Sequence, residues 1–159
     1  DIPTFDRSVY APAEGALRGA YILADSGKKP EIILIGTGSE VQLCLGAYEV
    51  LKKEGVNVRV VSMPCWSLYE MQGPEYWEEV LPLSVHARVS VEAGSTFGWR
   101  RYVGSYDRGG VIGISTFGES APIGALLPEF GFTVDHVVAK AKEVLDMNAK
   151  KKTGKTAKK

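Results

Sequence analysis

The apolar positions along this chain change period several times, and each change marks an element. Glu31 to Ile35 is nearly all β-branched or leucine, as expected of a strand covered on both faces. After the turn Gly36-Thr37-Gly38-Ser39, the residues Val41, Cys44, Leu45, Tyr48 and Leu51 fall at i, i+3, i+4, i+7 and i+10, one stripe of a helix. Ser39 followed three residues later by Gln42 makes a capping-box pattern at its start. Gly55 stands where a left-handed residue would end it. Val56 to Met63 reads as strand again, so residues 31–63 predict a β-α-β unit with parallel strands and a right-handed crossover.

The rest of the chain continues this alternation. Arg18 to Ala24 is a short apolar run that predicts a first strand, ended by Asp25-Ser-Gly-Lys-Lys-Pro30. Pro64, Pro74 and Pro82 divide residues 64–85 into short helical pieces holding Trp66, Tyr69, Met71, Tyr76 and Trp77. Ala87 to Val91 and Val111 to Ile114 predict the fourth and fifth strands. Ser120 caps a helix with Pro122 in its first turn, running to about Phe130 and ended by Gly131. Thr133 caps a last helix with a stripe of Val134, Val137, Val138, Ala141 and Leu145. No internal repeat is present. The expected class is α/β, in three layers (α/β/α), with residues 18–148 as the folded domain. Residues 1–17, with Pro3 and Pro12 and no period, read as a linker segment, and residues 149–159 as a Lys-rich tail.

Composition adds the scale and the compartment. A chain of 159 residues makes one domain, with or without a tail. Cys44 and Cys65 are too few and too far apart for a disulfide framework and read as reduced thiols of a cytosolic type of protein. The acidic, proline-containing start does not resemble a signal peptide, and no run of about 18 apolar residues predicts a membrane span.

The formal net charge of zero conceals an asymmetry. Six lysines lie within residues 150–159, without an acid, which leaves 13 basic against 19 acidic residues in the body. A folded part carrying about six negative charges lacks the basic face expected of a nucleic-acid binder. The lysines of the tail repel one another and predict a solvated extension.

Candidate chemistry is sparse. Thr37, Gly38 and Ser39 follow a strand and open a helix, so their backbone N–H groups can cradle an anion. Against this, the dinucleotide pattern G-x-G-x-x-G is incomplete, a P-loop lysine is absent, and Glu40 puts a negative charge in the first turn. His86 and His136 have no neighbours at metal-ligand spacing. Ser95 and Ser120 lack a nucleophile-elbow motif, and Cys65 lacks an activating cation in the sequence around it.

The block Glu92–Tyr102 is richer. Glu92 ends a buried strand, Gly94 and Gly98 give backbone freedom, and Phe97, Trp99, Arg100, Arg101 and Tyr102 are of the types that dominate binding hot spots. Three readings stay open: an interface, a small-molecule site, or aromatics packed into the core with arginines paired to acids.

At Gly36-Thr-Gly-Ser-Glu-Val41, Val61-Ser-Met-Pro-Cys-Trp66, Glu92-Ala-Gly-Ser-Thr-Phe-Gly-Trp99, Phe117-Gly-Glu-Ser-Ala-Pro122 and Phe130-Gly-Phe-Thr133 the chain resembles the transketolases. The similarity runs from about Ile2 to Leu145 and points to the C-terminal domain of these thiamine-diphosphate enzymes, which move two-carbon ketol units between sugar phosphates. The Lys-rich end matches nothing in the family.

The resemblance implies a five-stranded mixed sheet, mostly parallel, with Arg18–Ala24 as its antiparallel strand. It implies that thiamine diphosphate and a divalent metal, magnesium or calcium, sit in the other domains of a homodimer. The family's catalytic histidines, its cofactor-activating glutamate and its substrate-phosphate arginine belong to those domains too, so no catalytic, cofactor-binding or metal-binding residue carries over here. The implied partners are the transketolase catalytic domains, in the same or a separate chain, and the implied location is the cytoplasm, or the plastid in a photosynthetic eukaryote. Neither nucleic acid nor a membrane is an expected partner.

Overall fold

Alternation within one strand organises the domain in the computed structural model, which describes residues 2–27 and 29–156. In β2 (Ile32–Gly36) every residue is buried, Ile32 and Leu34 on one face of the sheet and Ile33 and Ile35 on the other. It lies at the centre of five strands ordered β1-β3-β2-β4-β5, with β1 (Tyr21–Asp25), β3 (Val58–Ser62), β4 (Arg88–Ser95) and β5 (Gly109–Ile114) around it. β3, β2, β4 and β5 are parallel, and β1 pairs antiparallel with β3. The expected mixed sheet, with its first strand reversed, is therefore present.

Each face carries its own core. On one, α1 (Val41–Lys53) and α6 (Val134–Thr156) bury Cys44, Leu45, Tyr48, Leu51, Val137 and Val144 against Leu34, Val60 and Val89. On the other, α2 (Trp66–Glu70), α3 (Pro74–Val80) and α4 (Arg100–Val103) bury Tyr69, Tyr76, Val80, Trp99 and Tyr102 against Ile33, Ile35 and Val61. Arg59 crosses the end of this layer. It pairs with Asp25 at 2.7 Å and donates to the Glu79 carbonyl at 2.6 Å.

Several element ends differ from expectation for local reasons. The first strand begins at Tyr21, because residues 13–18 form a 3₁₀ turn that lays the Arg18 guanidinium 3.3 Å from the centre of the Tyr76 ring. The capping box is not formed: a 3₁₀ turn over Gly38–Glu40 precedes α1, and the Ser39 hydroxyl donates to the Glu40 carboxylate. Nor does Ser120 cap a helix, since α5 (Ile123–Glu129) starts after Pro122 with no side-chain cap.

Other ends are as read. At the end of α1, Gly55 at φ +84° lets its own N–H reach the Lys52 carbonyl and the Val56 N–H reach Leu51, a Schellman closure. Thr133 Oγ1 accepts the His136 N–H at the start of α6. That helix continues past Leu145 to Thr156, so the helical backbone includes much of the lysine-rich stretch; residues 157–159 lie outside the described residues.

Candidate functional site

Neighbouring strands β2 and β4 send the chain in opposite directions. From β2 it leaves through α1 to β3, and from β4 through α4 to β5, on opposite faces of the sheet. In parallel α/β sheets, the crevice at the carboxyl ends of such a pair is where small ligands bind. Both residue groups singled out in the sequence, Thr37-Gly38-Ser39 and Phe97 to Tyr102, follow these strand ends.

One side chain of the chain itself reaches across the crevice. The Glu40 side chain, 7% exposed, folds back across it, and its Oε2 accepts the Ala93 N–H of β4 at 3.0 Å. The Ser39 hydroxyl donates to the same carboxylate. Thr37, Gly38 and Ser39 do lie in a turn of the right kind, with Gly38 at φ +54°, but a buried carboxylate stands beside them. Next to Ala93 on the same strand, Glu92 Oε2 accepts the Trp99 indole N–H at 2.6 Å, a short charge-assisted bond. β4 runs on to Ser95 through a register shift after Val91, so Glu92 lies within the strand rather than at its end.

The residues from Phe97 to Tyr102 divide by environment. Trp99 is 1% exposed and meets Trp66 edge-on at 5.0 Å between ring centres. Tyr102 is buried behind it and donates its hydroxyl to Glu70 at 2.7 Å. Its phenol is raised well above its ordinary range, first by burial and then by that carboxylate. Arg100 donates to the Gly109 carbonyl at 2.8 Å, and Arg101 pairs with Glu70 at 2.9 Å at the surface. Of the aromatic residues in this stretch, Phe97 turns outward, 88% exposed. Beyond β5, Phe117 in the next loop is 98% exposed and Ile123, the first residue of α5, 68%. A hydrogen bond of 2.9 Å between the Thr96 and Ser115 hydroxyls ties the two loops together.

Burial pushes the Cys44 thiol up, whereas hydrogen bonding from Ser67 lowers that of Cys65. His136 Nδ1 lies 2.9 Å from the Gly131 carbonyl. Arg88 was not singled out from the sequence, yet its guanidinium donates to the carbonyls of Leu81, Pro82, Val85 and Tyr102 and binds three segments together. Burial lowers its pKa. No sequence signal marks it, because its acceptors are all backbone.

Among the described residues, no group of three or more His, Cys, Asp or Glu is placed to hold a metal. No helix among them is long and apolar enough to cross a membrane. Thiamine diphosphate does not fit this edge. A diphosphate–metal pair needs free carboxylates and cations, and here Glu40, Glu92, Arg100 and Arg101 are all committed to partners within the chain.

Five strands, one of them reversed, with helices on both faces make this a mixed three-layer α/β domain. The chain belongs to the transketolase family: residues 19–133 match the transketolase-like TK C-terminal domain.

The chloroplastic transketolase of Solanum tuberosum is 59% identical over 133 residues, covering 82% of this chain and 18% of that protein. Transketolase from Leishmania mexicana superposes with a TM-score of 0.76 at 41% identity, over 84% of this chain and 19% of the other. A split-gene transketolase, described as an inactive β4 tetramer, superposes with a TM-score of 0.62 at 26% identity over 80% of this chain and 42% of its own. The chain thus spans about a fifth of the length of the full transketolases it matches.

Proposed function

We infer that the chain serves as the non-cofactor-binding C-terminal domain of a thiamine-diphosphate-dependent transketolase, an enzyme that transfers a two-carbon ketol unit between sugar phosphates. One observation supports this most: the edge where such a sheet would bind a ligand is filled by Glu40 and Glu92, while apolar side chains stand out beside it. The domain packs against the catalytic domains, in the same or a separate chain, and supports their homodimer. It is inactive by itself. Thiamine diphosphate and its magnesium or calcium ion are held by those other domains. In this reading residues 18–148 are the working domain, residues 1–17 lead into it, and the lysine-rich residues 149–159 extend from it. The cytoplasm fits this reading, and the plastid fits equally, given the chloroplastic relatives.

A second reading, from a different class, is a phosphate- or nucleotide-binding regulatory domain using Thr37, Gly38 and Ser39. The positive φ of Gly38 favours it and the Glu40 carboxylate opposes it. Titration calorimetry of the chain with nucleotides, sugar phosphates and thiamine diphosphate plus magnesium separates the two. The domain-packing reading expects no heat of binding at millimolar ligand, and saturable heat with any of them would overturn it.

A further inference from the structure

A cavity of about 660 Å³ opens at the amino ends of the parallel strands, on the opposite edge of the sheet from Glu40 and Glu92. That volume lies in the range of sites for small molecules. Its floor is apolar: Pro30 leads into β2, Val56 into β3, and Val85 and Ala87 into β4. Leu145 and the turns of α6 that follow it form the facing wall, outside the residues that match the family model.

Charges of both signs line the cavity as well. Glu31 is engaged by the Asn57 N–H at 3.0 Å, Lys151 by Asp107, and His86 has a partner too. Arg108 and Asp146 differ: among the described residues neither side chain has a hydrogen-bond or ion-pair partner, and they do not pair with one another. They are nonetheless neighbours, because Asn148 of the same helix donates to the Arg108 carbonyl at 2.7 Å. Lys29 is unpaired as well, but it precedes β2, two strand spacings or about 10 Å from Arg108 at the start of β5. An anionic ligand would meet Asp146 and Glu31 as repulsion, and a cationic one would meet Arg108 and Lys29. A ligand carrying both charges on an apolar body meets neither obstacle.

We propose that this cavity binds a small zwitterion of the amino-acid class with an apolar side chain. Its carboxylate lies on the Arg108 guanidinium, whose planar fork matches two oxygens at once. Its ammonium lies on Asp146, and its side chain rests against Val85, Ala87 and Leu145. The site goes beyond the transketolase-domain reading and does not depend on it.

The test is an amide chemical-shift titration of the purified chain with L-leucine. Amides of residues 84–87, 108–109 and 145–151 should shift saturably, and those of 37–39 and 97–102 should not. Two fragments of leucine separate its charges: 4-methylpentanoate lacks the ammonium and 3-methylbutylamine lacks the carboxylate. Each should bind about fivefold more weakly, or worse. Arg108→Gln should weaken leucine and 4-methylpentanoate and leave 3-methylbutylamine unchanged, and Asp146→Asn should do the converse. Lys29→Gln should leave leucine binding as it is.

Thermal melting checks that each variant folds, and the fragment comparison on the unaltered chain stands without them. No saturable shift at these residues with millimolar leucine would overturn the site. Fragments that bind as tightly as leucine would overturn the zwitterion, and equal losses in Lys29→Gln and Arg108→Gln would overturn the carboxylate anchor. Each of these results leaves the transketolase-domain reading standing.

Discussion

Glu40 does what a sequence cannot show. Its place in the first turn of a helix is plain from the pattern around it, and there it complements the helix dipole. Its acceptor role reaches Ala93, 53 residues further on, and only the packing of α1 against β4 brings the two together. Replacing it by leucine removes this part-buried bond between an N–H and a carboxylate, at a cost of about 1.5–3 kcal/mol. Glu40→Gln keeps an acceptor oxygen at the same place and should lose less. Urea denaturation midpoints of the two variants check this, and equal loss would remove the hydrogen bond from the account. Trp99 and Tyr102 carry the matching lesson. Residue types favoured at interfaces are also favoured in cores, and the sequence left both readings open. The structure buries these two and turns Phe97 outward.

At the scale of elements, legibility followed periodicity. α1 was readable because five apolar residues share one face, and β2 because both of its faces are covered. The end of β4 was not readable. Its last residues, Glu92-Ala-Gly-Ser95, carry a register shift, and four-residue α4 is too short to show a period. That stretch depends on Gly98, at φ +87°, where a Cβ would lie 2.6 Å from the Trp66 ring. Gly98→Val should therefore cost about 2–4 kcal/mol through strain and overpacking together. Gly55→Ala tests the strain alone, since φ there is +84° and a Cβ would meet nothing within 4 Å. It should cost about 1–2 kcal/mol. Thermal melting of both separates the contributions, and equal shifts would mean that the Trp66 contact has no weight.

For the whole molecule, the buried phenols and thiol set a limit on alkaline stability. Burial pushes Tyr69 up to about 12 from an ordinary value of 10.0, and raises Tyr102 and Cys44 as well. Each folded pKa lies above its unfolded value, so the unfolded chain gives up these protons first as pH rises. Stability is then fully present below about pH 8.5, where the unfolded thiol begins to ionise, and declines as pH rises from there towards 12. Melting temperature against pH, read with phenolate absorbance, should show the decline and a set of tyrosines that titrate only on unfolding. A melting temperature constant to pH 12 would contradict it.

The family was legible only as a resemblance carried by a few strings in order, because the carboxylates at the sheet's edge, Glu40 and Glu92, take partners that no local pattern marks. The most direct test of the proposed role is turnover by the purified chain with xylulose 5-phosphate, ribose 5-phosphate, thiamine diphosphate and magnesium, following release of the three-carbon product. No product above the enzyme-free control is the expected result, and sustained turnover by this chain alone would contradict the account.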